Sequence, residues 1–170
     1  SSGSSDIRNI TLVTPTITGS FKVGGLLGTD FAAVSIRNAH VSGGSITGAT
    51  RSAPFSSQDI GGLVGQLGTD SRISASSSSA FVAGITEIGG LVGINEGVIE
   101  KSSSTGSVSA TGDNVGGLVG IMGTGSGGSP SILDGYATGN VNGRFMVGGL
   151  VGQNAGTVRR SYATGAVAGT

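Results

Sequence analysis

Apolar residues return in register along this chain at intervals far longer than a helical turn. Isoleucine or valine heads a half-unit at Ile7, Ile36, Ile73, Ile99, Ile132 and Val158, and a second column runs through Ile17, Ile46, Val82, Val108, Val141 and Val167. Between them lies a hexapeptide of the form Val/Ile-Gly-Gly-Leu-Leu/Val-Gly, starting at Val23, Ile60, Ile88, Val115 and Val147. Its leucines, Leu26, Leu63, Leu91, Leu118 and Leu150, form a third column, each followed by Leu or Val. The steps between hexapeptides are 37, 28, 27 and 32 residues. The short steps set a unit of about 27 residues, and the longer ones accommodate loops. Two loops are expected near residues 49–59 and 123–131, which contain Pro54 and Pro130 among serines and glycines.

No helical spacing of apolar residues persists. The segments are short, β-branched and bounded by Gly, Ser, Asn or Asp, which predicts strands and tight turns. A helix through the hexapeptide would lose roughly 1 kcal/mol at each internal glycine. One unit of this length cannot cover its own apolar residues, whereas stacked units turn each column into a ladder within one core. The predicted fold is all-β, a parallel β-helix or related β-solenoid of about six coils, roughly 25–30 Å long at the parallel-strand spacing. A β-propeller is the alternative, but its blades need about 40–50 residues and four strands.

Adjacent apolar residues such as Leu63-Val64 point to opposite faces of a regular strand. Either the preceding glycines bend the chain so that both turn inward, or one column faces out. Leu26, Leu63, Leu91, Leu118 and Leu150 are therefore a packing stripe in the first case and an assembly stripe in the second. Residues 1–170 read as a single solenoid domain that begins in one half-unit and stops at the end of another. That arrangement predicts a segment of a longer repeat array, with a subunit that stacks end to end as the alternative.

Composition narrows the function. Charged residues are 11% of the chain and cancel to zero, and the two lysines (Lys22, Lys101) give no footprint for nucleic acid or an acidic membrane. No apolar run is long enough to insert in a bilayer as a helix. There is no cysteine, which removes disulfides and thiolate metal sites.

Candidate chemistry is sparse. The single histidine, His40, occupies a repeat position filled elsewhere by Ser or Tyr, and alone makes neither a catalytic base set nor a zinc site. Asp30 and Asp70 share the local sequence Gly-Thr-Asp, and Asn95 and Asn154 fall near the same turn. Such columns satisfy turn backbones, while calcium would need six to eight oxygens. Tyr136 and Tyr162 share a column and are placed to stack. Thr105, Thr138 and Thr164 form a short hydroxyl column interrupted by Ser79. The hexapeptide lacks the Gly-Lys-Ser/Thr ending of a phosphate loop. No catalytic, cofactor-binding or metal residue is assigned, and no cofactor is expected.

The unit from Val147 through Tyr162-Ala-Thr-Gly165 to Gly169 resembles the GLUG motif. The resemblance covers about Ile7 to Gly169. It is strongest in the units at Ile88, Val115 and Val147, and weaker at Ile60, where Ser77-Ser-Ser-Ala80 replaces Tyr-Ala-Thr-Gly. GLUG modules occur in bacterial surface proteins, including filamentous-haemagglutinin-like adhesins and IgA-peptidase-type repeat regions, and the resemblance implies no catalytic residues. The expected function is a non-enzymatic structural or adhesive stalk of a bacterial extracellular or cell-surface protein. Its expected partner is a host or surface ligand, carbohydrate or protein. The alternative is a subunit of an extracellular filament or surface layer, associating end to end or laterally. A carbohydrate-active β-helix enzyme and an ice-binding protein rank lower.

Overall fold

The computed structural model describes residues 5–30, 32–49, 58–123 and 128–170. They contain 26 strands and no helix. Every strand pairing is parallel, and partners lie one repeat apart, as Ile73 with Ile99 and Ile99 with Ile132. The chain is a β-solenoid.

Coils run through four sheets in turn. In the third coil these are Arg72–Ser74 and Ser77–Ser78 in the first sheet, Phe81–Gly84 in the second, Ile88–Gly89 in the third and Val92–Asn95 in the fourth. The first two sheets draw on six coils, with ten and six strands, and the last two draw on five coils, with five strands each. The described stack is therefore five full turns and a half. Its minimal turn is 26 residues, the separation at which Ser76 bonds to Ser102 and Gly135 to Ser161. The two longer turns contain residues 49–59 and 123–131. Of these expected loops, residues 50–57 and 124–127 lie outside the described residues.

Both β-branched columns are ladders in the register the repeat predicts. Ile7, Ile36, Ile73, Ile99, Ile132 and Val158 pair successively, as do Ile17, Ile46, Val82, Val108, Val141 and Val167. Ile36, Ile73, Ile99 and Ile132 are all 0% exposed. Burying such a side chain contributes about 1.5–3 kcal/mol, so one core ladder replaces the two-sided packing of a globular domain.

The hexapeptide makes a corner that turns both of its apolar residues inward. Leu63, Val64, Leu91, Val92, Leu118 and Val119 are each 0% exposed. The N–H groups of Leu91 and Val92 both donate to the Leu118 carbonyl, at 2.9 and 3.1 Å, and the same fork recurs at Leu63-Val64 and Leu118-Val119. Glycine supplies space here. A Cβ on Gly89 would strike the carbonyl of Val92, and one on Gly90 the Gly117 carbonyl and the Ser104 hydroxyl.

Two further bends are made by residues with side chains. Asn9, Asn38, Ala75, Lys101, Asp134 and Arg160 stack in one left-handed column, with φ between 47° and 57°. Lys22, Asp59, Glu87, Asn114 and Met146 form a second, with φ between 50° and 60°, just before the third sheet. Each such residue costs about 1–2 kcal/mol in local strain, offset by the ladders on either side.

At the first corner a serine repairs the backbone ladder. The Ser102 hydroxyl accepts from the Ser76 N–H at 3.1 Å and donates to the Glu100 carbonyl at 2.8 Å. Ser76 does the same for Ala39, and Ser161 for Gly135.

Candidate interaction face

The outer side of the first sheet carries a polar and aromatic column: Thr11, His40, Ser77, Ser103, Tyr136 and Tyr162 are successive register partners. Strand alternation points these side chains away from the core while Val41, Ser78, Ser104 and Ala137 turn inward. Two residues further along each coil, Ser42, Ser79, Thr105, Thr138 and Thr164 lie exposed beside it. Backbone bonds join neighbouring coils there, such as Thr105 N–H to the Ser78 carbonyl and Thr138 N–H to the Ser104 carbonyl. The result is a straight strip rich in hydroxyl groups.

At one end of the strip the Tyr136 and Tyr162 rings stack, centroids 5.3 Å apart and 7° from parallel. Tyr162 is 55% exposed. Near the other end His40 is held from two sides. Its Nδ1 is 2.8 Å from the Ser77 hydroxyl and its Nε2 2.9 Å from Asn38 Oδ1. Asn38 Oδ1 can only accept, so Nε2 carries the proton, and in the neutral ring Nδ1 accepts from Ser77. Asn38 Nδ2 then donates to Asn9 Oδ1 at 2.8 Å. His40 is thus a positioned element of a polar relay across three coils.

Several acids are held by backbone N–H groups, a hydroxyl or arginines. Asp30 Oδ1 accepts from the Gly68 N–H at 2.8 Å, and its Oδ2 bonds the Ser71 hydroxyl. Asp70 is exposed in the turn beyond, lining the same shallow cavity as Asp30, Thr69 and Ser71. Asn95 and Asn154 each fold their Oδ1 onto the N–H two residues ahead, at Gly97 and Gly156. Arginines bridge successive coils: Arg37 to Asp6 at 2.9 Å, Arg72 to Glu100 at 2.9 Å, Arg144 to Asp113 at 3.1 Å and Arg160 to Asp134 at 2.6 Å. The Arg160 guanidinium holds the Asp134 carboxyl below its ordinary range. Among the described residues no group of three His, Cys, Asp or Glu is arranged to hold a metal ion.

One acidic pair escaped the repeat pattern. Asp59, 3% exposed, and Glu87 are neighbours in the second left-handed column. Burial, then the hydrogen bond and negative charge of Asp59, push the Glu87 carboxyl up to about 8. No local motif marks this pair, and only exact register between coils brings it together.

The leucine column lies within the rod. Leu63, Leu91 and Leu118 are fully buried, and Leu26 and Leu150 pack against the same core partly exposed. Its apolar surface is used in coil-to-coil packing.

Comparison with known proteins agrees with this construction. Residues 84–109 and 143–168 match the GLUG motif, each segment one minimal coil in length. Halomucin of Haloquadratum walsbyi (strain DSM 16790 / HBSQ001) is 38% identical over 176 aligned positions. That alignment takes in 96% of this chain and 2% of halomucin. No solved structure matches the chain significantly. These relationships mark a repeat protein of the cell-surface or extracellular class. The relative is archaeal, so they carry that setting without tying it to bacteria.

Proposed function

From the premise that two segments of this chain match the GLUG motif, we propose that it is a rigid, non-enzymatic spacer and adhesive module of an extracellular or surface protein. The observation that carries the reading is continuity. Core ladders run from coil to coil through the described residues, and arginine–carboxylate pairs reinforce four of the five coil-to-coil steps. The face offered to a partner is the Tyr136–Tyr162 strip with Thr138 and Thr164, where flat rings and hydroxyl groups suit a carbohydrate.

A glycan array probed with the intact chain tests the adhesive half. Binding that is lost in Tyr162→Ala and Thr164→Ala supports it, and no binding to glycans or cell surfaces reduces the role to a spacer. Turnover of any polysaccharide would overturn the non-enzymatic half.

Self-assembly is a second reading. Val158 and Val167 are 36% and 47% exposed, whereas their ladder partners Ile132 and Val141 are fully buried. These surfaces have the register of a coil-to-coil contact and would suit another coil of the same repeat. Sedimentation that stays monomeric at high concentration would remove this reading.

A further inference from the structure

Residues Asn9-Ile10-Thr11 have the Asn-X-Thr spacing at which oligosaccharide is attached to asparagine in exported proteins. The motif alone is short, and the fold supplies the rest. Asn9 and Thr11 are both exposed. Asn9 takes the left-handed conformation, φ 57°, at the corner of strand Ser5–Val13.

The relay through His40 settles which amide atom is free. His40 Nε2 donates to Asn38 Oδ1, so Asn38 presents its Nδ2 to Asn9. Asn9 is therefore held by its Oδ1, and among the described residues no hydrogen bond uses its Nδ2. That nitrogen is the atom that would take a sugar. A glycan there would leave the Asn38 bond intact and disturb no buried group.

We infer that Asn9 is a site of asparagine-linked glycosylation. The reaction joins Asn9 Nδ2 to the anomeric carbon of a lipid-phosphate-linked oligosaccharide. The C–O bond to the phosphate breaks, the lipid phosphate leaves, and Nδ2 loses one proton. Asn38 supplies an internal reference. It occupies the same corner, but the residue in register with Thr11 is His40, so it lacks the hydroxyl that the transferase reads.

The inference rests on the extracellular setting and is independent of the adhesive reading. The test is secretion of the whole chain from a host that performs asparagine-linked glycosylation, followed by intact-mass measurement and peptide mapping. The expected result is one glycan, on the peptide containing Asn9 and none on Asn38, released by a peptide-N-glycosidase. It should be absent in Asn9→Gln and Thr11→Ala and retained in Thr11→Ser. An unmodified Asn9 in a host that glycosylates a co-secreted control would overturn the inference, as would modification that survives Thr11→Ala. Neither result bears on whether the rod binds glycans.

Discussion

Glu87 stands one coil beyond Asp59 in the left-handed column before the third sheet, and the two carboxyl groups share a hydrogen bond. Lys22 occupies the same column on the far side of Asp59, and Asn114 follows Glu87. Two carboxylates at this spacing cannot both ionise cheaply, so the pair keeps a proton on Glu87.

The first prediction is the pH dependence of stability. Below its ordinary value of 4.5, Glu87 is protonated both folded and unfolded, and its contribution is full. Between 4.5 and about 8 the unfolded chain has released the proton while the folded chain still holds it. Stability therefore falls as pH rises through that window and levels off above it. Thermal melts across the window should show Tm declining toward alkaline pH. Glu87→Gln should flatten the curve and leave the variant more stable than the parent at its alkaline end. A parent curve that rises through the window would contradict the pair.

The hexapeptide glycines give a graded prediction. A Cβ on Gly90 meets a backbone carbonyl and the Ser104 hydroxyl, while one on Gly149 meets only Ala163 Cβ at 3.1 Å and a Val167 methyl at 3.4 Å. Gly90→Ala should cost about 1–3 kcal/mol or more by overpacking. Gly149→Ala should cost less than about 1 kcal/mol, since side chains at the last coil can shift. Urea denaturation of the two variants checks the order, and equal losses would deny the close backbone approach.

The isoleucine ladder predicts a gradient along the rod. Ile99 is 0% exposed and Val158, two coils on in the same column, is 36% exposed. Ile99→Ala should lose about 2–5 kcal/mol. Val158→Ala should lose well under half of that, because its site is already open to water. The midpoint of chemical unfolding reads both.

The ladders were legible in the sequence because β-branched residues recur with no competing period. Ile36, Ile73 and Ile99 could be aligned by eye, and the Tyr136–Tyr162 stack followed from the same alignment. The fate of Leu63 and Val64 was not legible, since strand alternation allowed one of them outside. Only the space-limited glycines decide it. The left-handed columns were hidden for a different reason. Ala75, Lys101, Met146 and Arg160 have no intrinsic preference for that region, and stacking against neighbouring coils overrides their local cost. The Asp59–Glu87 pair depends on register over one whole coil, and no local motif announces it.

Two serines two residues apart should respond oppositely to loss of the hydroxyl. Ser102 Oγ is bonded on both sides, to the Ser76 N–H and the Glu100 carbonyl. Ser102→Ala strips a partner from a buried N–H and should destabilise by about 1–3 kcal/mol. Ser104 is 0% exposed, and its Oγ has no hydrogen-bond partner. Its register partners in the next two coils are Ala137 and Ala163. Removing an unsatisfied buried hydroxyl recovers its desolvation cost, so Ser104→Ala should stabilise the rod by up to about 1 kcal/mol. It should also ease the contact with Gly90, so Gly90→Ala should cost less in the Ser104→Ala background than alone. A double-mutant cycle by thermal melt measures this coupling. Strict additivity would mean that the Ser104 hydroxyl does not set the space available at Gly90.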